Sequence, residues 1–118
     1  MTADEFRALA LQLPGAVAGT HMGHADFRVR GKIFATLGYP TEEFATILLT
    51  PQEQAGLLEE GSGAFVPVKG GWGLKGSTNV RLRLAAAEPV RRALCAAHAR
   101  KSSVPARRSG KSSNGKKT

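Results

Sequence analysis

The 118-residue chain predicts an α+β fold, an antiparallel sheet with helices packed on one face in the order α-β-β-β-α-β-β-α. Three observations carry this. Two Thr-x-x-Glu capping boxes, at Thr2/Glu5 and Thr50/Glu53, each open a helical segment. Short segments rich in β-branched and aromatic residues, bounded by glycine turns, alternate in polarity as half-buried strands do. The strands come in adjacent runs with no parallel strand–helix–strand unit among them, which places the helices as a layer against an antiparallel sheet.

The first helix is expected over residues 3–12, because Phe6, Leu9, Ala10 and Leu13 fall at i, i+3, i+4 and i+7 on one apolar face. Pro14-Gly15 stops it. Residues 16–25 read as an irregular lead into the sheet. Phe27 and Val29 then alternate with Arg28 and Arg30, Gly31 permits a tight reversal, and Ile33, Ala35 and Leu37 alternate with Phe34 and Thr36, giving a β-hairpin. After a turn at 38–41, residues 44–49 extend the meander. Proline at the first helical position, Pro51, reinforces the second helix start, and the helix is expected to reach about Glu60, before Gly61–Gly63. Residues 65–68 and 78–84 are two further strands around a glycine-rich turn at 70–76. In the second, Val80, Leu82 and Leu84 share one face, and Asn79, Arg81 and Arg83 the other. A last helix starts near Glu88-Pro89, with Val90, Ala93, Leu94 and Ala97 inward and Arg91, Arg92 and His98 toward water, and frays at about Arg100.

Length and apolar content support a single domain, assigned to residues 1–99. The formal charge of +8 describes a tail more than that domain: residues 1–99 hold ten Lys and Arg against nine Asp and Glu, whereas residues 100–118 hold seven cations and no acid. That tail, rich in Ser, Gly, Lys and Arg, has too few apolar residues to form a core and is expected to be disordered. Cys95 stands alone, so no internal disulfide or metal-type cysteine pair exists. The acidic start resembles no signal peptide, and no apolar run is long enough to cross a bilayer. A cytoplasmic monomer without a membrane role is the expectation.

Candidate functional residues concentrate in two places. Lys69, Trp72 and Lys75 at the glycine-rich turn, with Arg81 and Arg83 on the following strand, form a basic stripe around one indole, suited to phosphates and an unpaired base. The alternative is Trp72 packed under its own turn. Arg28 and Lys32, with Arg30, charge the Gly31 hairpin tip, as a wing touching a nucleic-acid backbone would require. Gly70–Gly76 lacks the spacing and the terminal Lys-Ser/Thr of a phosphate-gripping loop, so its glycines are read as permitting close backbone approach in a bulged turn. His21 and His24, even with His98, are read as polar loop residues rather than metal ligands. Cys95 reads as a packing residue. No catalytic motif stands out, and neither enzymatic activity nor a cofactor is expected.

Leu13-Pro-Gly15, the Asp26–Leu37 segment and above all Phe65–Leu84 resemble the MmcQ/YjbR family of small α/β proteins over roughly residues 4–99. The resemblance implies a sheet-and-helix fold likened to double-wing DNA-binding domains, largely without assigned biochemical roles. Family members often carry an aromatic residue shortly after the basic residue of the turn, where this chain has Ser77. The expected function is therefore non-enzymatic, non-sequence-specific association with DNA or another polyanion through the tail and the sheet and hairpin cations. The alternative is a small-ligand or protein-binding adaptor with a cleft between the Trp72 turn and residues 21–28.

Overall fold

The computed structural model describes residues 1–103. Elements follow one another as α1 (Ala3–Leu11), β1 (Val17–His21), β2 (His24–Val29), β3 (Lys32–Leu37), β4 (Phe44–Leu48), α2 (Pro51–Glu59), β5 (Phe65–Pro67), α3 (Gly71–Leu74), β6 (Ser77–Arg81), a 3₁₀ turn at Leu82–Leu84 and α4 (Ala87–Ser103). Both capping boxes form: Thr2 Oγ1 accepts from the Glu5 amide at 3.0 Å, Thr50 Oγ1 from that of Glu53 at 3.2 Å, and each glutamate carboxylate returns the bond.

Six strands pair antiparallel in the order β1-β2-β3-β4-β6-β5. Residues 17–21, expected to be irregular, form the edge strand β1. Two-residue turns join β1 to β2 at Met22-Gly23 and β2 to β3 at Arg30-Gly31, all four residues having positive φ, the primed geometry whose twist suits a hairpin. The ladder between β2 and β3 shifts register by one, because Phe27 pairs with Ala35 while Arg28 pairs with Ile33. Phe34 is the extra residue of a β-bulge. Simple alternation put Ile33 with Ala35 and Leu37. The bulge instead buries Phe34 beside Ala35 and leaves Ile33 half-exposed opposite Arg28.

The core lies between one sheet face and the helices. Phe27, Ala35, Ile47, Val80 and Phe65 meet Phe6 and Ala10 of α1, Leu57 of α2, and Val90, Leu94 and Ala97 of α4. The Phe6 and Phe27 rings sit 6.1 Å apart. His98, expected to face water, is buried: its imidazole meets the Phe34 ring edge-on at 5.5 Å and its Nε2 lies 2.7 Å from the Pro14 carbonyl oxygen. The opposite face carries a polar row across the strands, Asp26, Thr36, Thr46 and Asn79, in which Thr46 donates its hydroxyl to Asn79 Oδ1 at 2.8 Å.

Strand β6 ends at Arg81, so Leu82–Leu84 leave the sheet: Leu82 is buried and Leu84 exposed. The glycine-rich segment is one helical turn rather than a bulged loop, seated by backbone contact. A Cβ on Gly73 would lie 1.7 Å from the Val68 carbonyl oxygen, and one on Gly76 2.1 Å from that of Leu49. Gln54 Nε2 donates to the carbonyls of Gly73 and Ser77 at 3.2 and 3.1 Å, tying α3 to α2.

Gly73→Ala is therefore expected to destabilise the fold by more than ~2 kcal/mol in chemical denaturation. Gly56→Ala, in α2 with open space around it, should stabilise by ~0.5–1 kcal/mol.

Candidate nucleic-acid interface

Strand register and helix direction together sort the charges along the strand axis. At one end lie the β2–β3 turn, the β4 exit into α2 and the start of β6, since Arg28 pairs with Ile33 and Leu48 with Ser77. The α3 turn belongs to this end as well, because the Val68 amide bonds the Ser77 carbonyl at 3.0 Å. Helix α4 starts at the other end, after the 3₁₀ turn, and arrives here: Arg100 donates to Glu53 Oε1 at 2.8 Å and to the Leu48 carbonyl. Its last basic residues, Arg100 and Lys101, complement the negative end of the helix dipole.

This end thus gathers Arg30, Lys32, Lys69, Lys75 and Lys101, none paired with a carboxylate among the described residues. Asp26 and Glu53, the carboxylates nearest it, are each engaged by an arginine. The remaining seven carboxylates lie toward the other end: Asp4 and Glu5 at the α1 start, Glu42 and Glu43 in the β3–β4 turn, Glu59 and Glu60 at the α2 end, and Glu88 at the α4 start. Arg92 bridges Glu60 at 3.3 Å there, and the Met1 ammonium donates to the Leu82 carbonyl at 2.7 Å. A domain that holds twelve Lys and Arg against nine Asp and Glu over residues 1–103 therefore has a basic pole.

The seven cationic and aromatic residues singled out from sequence divide between the ends. Lys69, Trp72 and Lys75 sit together at α3, with Lys75 Nζ 5.7 Å from the Trp72 ring centroid. Lys32 lies at the same end, three strand spacings or ~14 Å across the sheet. Arg81 and Arg83 lie at the opposite end, because β6 spans ~14 Å from Ser77 to Arg81. There Arg81 stacks over the Phe44 ring at 5.8 Å, and Arg83 belongs to the 3₁₀ turn rather than to a strand.

Trp72 does not pack under its turn; 68% of its surface is exposed, on a helical turn held by the Gly73 and Gly76 contacts. Ser77 is buried and offers no contact. Arg28 is committed elsewhere. Its Nε and Nη2 donate to the two carboxylate oxygens of fully buried Asp26 at 2.9 and 3.0 Å, and this bonding raises the guanidinium pKa above its ordinary value. Gly19 on β1 makes room for the pair, since a Cβ there would sit 2.9 Å from Asp26 Oδ1. Arg100 and Lys101, assigned to the tail from sequence, belong to the pole; only the length of α4, which reaches Ser103, reveals this. The expected disorder of the tail beyond Ser103 lies outside the described residues.

His21 and His24 face each other across the β1–β2 turn. They line a cleft of about 330 Å³ with Met22, Thr36 and Tyr39, whose ring stacks edge-on with His24 at 5.5 Å. Trp72 is at the other edge of the sheet, so no cleft joins the two. Among the described residues, no three His, Cys, Asp or Glu side chains are placed to share a metal ion, and no helix is long and apolar enough to cross a membrane.

A one-layer antiparallel sheet backed by helices, with a basic end, defines a small α+β domain. The sequence model of the YjbR family matches residues 11–100, and the chain belongs to that family. Comparison with curated proteins finds no match, nor does comparison with solved structures.

Arg28→Ala leaves the buried Asp26 carboxylate without its partner. It is expected to lower the midpoint of denaturant titrations, because a buried carboxylate left without its partner is costly.

Proposed function

We propose that the chain associates non-specifically with nucleic acid through its basic pole and the cationic segment that follows it, and performs no catalysis. One observation carries this reading: among the described residues, five of the seven Lys and Arg side chains without a carboxylate partner gather at the end of the sheet where α4 delivers the chain, and only Arg81 and Arg83 lie elsewhere. Residues 104–118 add Arg107, Arg108, Lys111, Lys116 and Lys117 without an acid. Binding by such a surface is driven by release of counterions from phosphates and weakens as salt rises. The hairpin tip at Arg30 and Lys32 and the α3 turn at Lys69 and Lys75 are far enough apart to engage separate stretches of backbone. Trp72 between Lys69 and Lys75 offers an indole face to an unpaired base.

A second reading, a small-ligand or protein-binding adaptor, has its own observation in the His21–Tyr39 cleft, whose lining is mostly apolar with polar groups from His21, His24 and Thr36. That cleft lies at the acid-bearing end, away from the pole.

Fluorescence anisotropy with labelled oligonucleotides, run on the full chain across a salt series, separates the readings. Lys69→Ala with Lys75→Ala should weaken binding and reduce the log–log salt slope by about one unit for each phosphate left unneutralised. Arg30→Ala with Lys32→Ala should do the same. Arg81→Ala with Arg83→Ala should change neither quantity. Binding that survives all three pairs but disappears when the five cations of residues 104–118 become Gln would leave the folded body without a nucleic-acid role and favour the adaptor.

A further inference from the structure

The two edges of the sheet are treated differently by the sequence. Edge strand β5 is three residues long and ends in Pro67, which has no amide to donate. Edge strand β1 has five residues, Val17-Ala-Gly-Thr-His21, with no proline and no Lys, Arg, Asp or Glu. It carries none of the devices that normally blunt an open edge. Ala18 and Thr20 are exposed, Val17 is 56% exposed, and no strand among the described residues pairs with the outer side of β1.

The hairpin fixes which backbone groups are free. His21 and His24 flank a two-residue turn and form the first hydrogen-bonded pair, so Gly19 and Val17 also direct their amide and carbonyl toward β2. Ala18 and Thr20 direct theirs outward. Among the described residues, the one side chain that reaches this edge is Arg28, whose Nη2 lies 3.4 Å from the Thr20 carbonyl oxygen.

We infer that β1 pairs antiparallel with β1 of a second copy about a two-fold axis through Gly19, joining two six-stranded sheets into one. This register is the one that uses Ala18 and Thr20 of both copies, for ~4 hydrogen bonds, with each Ala18 opposite the partner's Thr20. A strand paired with itself suits a segment without formal charge, since no like charges are opposed. The two-fold also sets the basic pole of one copy beside the acid-bearing end of the other and keeps the two basic poles apart. A strand-to-strand contact of this length belongs to the small, transient class of interfaces, so the dimer forms at high protein concentration. It leaves the polar sheet faces of both copies on the same side.

Sedimentation equilibrium of the full chain, from micromolar to millimolar concentration, tests this together with two double variants. The native chain should pass from monomer to dimer. Ala18→Asp with Thr20→Asp places carboxylates opposite one another twice and should raise the dissociation constant roughly tenfold or more. Ala18→Asp with Thr20→Lys places opposite charges in the same positions and should restore dimerisation. Hydrogen exchange on the native chain gives a reading free of substitutions: the Ala18 and Thr20 amides should slow as the dimer forms, while those of Val17 and Gly19 stay unchanged. A native chain that remains monomeric at millimolar concentration, a doubly acidic variant that dimerises like the native chain, or a dimer with unaltered exchange at Ala18 and Thr20 would overturn the proposal.

Discussion

The docking of α4 on β3 through Phe34 is the contact on which the rest of the molecule depends. The bulge that turns Phe34 inward adds an aromatic ring to the helix-bearing face, and the edge of His98 seats against it. His98 also ties α4 to the loop after α1 through the Pro14 carbonyl. Burying a Phe side chain is worth ~1.5–3 kcal/mol on area alone, but its consequence here is directional. With α4 held antiparallel to the return of β6, its basic last turn must end where the hairpin tip and the α3 turn already lie.

That placement makes the body's charge asymmetric without a cluster of basic residues in sequence. Arg30, Lys32, Lys69, Lys75 and Lys101 come from three separate stretches, and the sheet order brings them to one end. Carboxylates accumulate at the other end for an ordinary reason. Acidic residues suit helix starts, and α1 and α4 both start there, at Asp4, Glu5 and Glu88. Arg28 on β2, close to the basic end, is held by the buried Asp26 carboxylate.

How much of this was legible in the sequence follows from how local each feature is. The capping boxes and the helices they open depend on residues three apart, and both appear where the pattern puts them. Strand β1 leaves no local signal because Val17-Ala-Gly-Thr-His21 has no apolar alternation; it is a strand only because β2 pairs with it. A period of two puts Phe34 on the wrong face because it assumes an unbroken ladder, and a bulge is invisible until both strands are known. The Asp26–Arg28 pair was open to reading, since residues two apart on a strand share a face. Nothing local could say that Arg81 and Lys75 stand at opposite ends, or that Lys101 joins Lys75, because strand order and helix direction decide both.

The most direct test of the basic pole is a two-dimensional NMR titration of the isotope-labelled full chain with a short oligonucleotide. Perturbations concentrated at Arg30–Lys32, Lys69–Lys75 with the Trp72 indole N–H, and Arg100–Lys101 are the predicted result. Perturbations centred on Arg81–Leu84 or on the His21–Tyr39 cleft, or confined to residues 104–118, would contradict it.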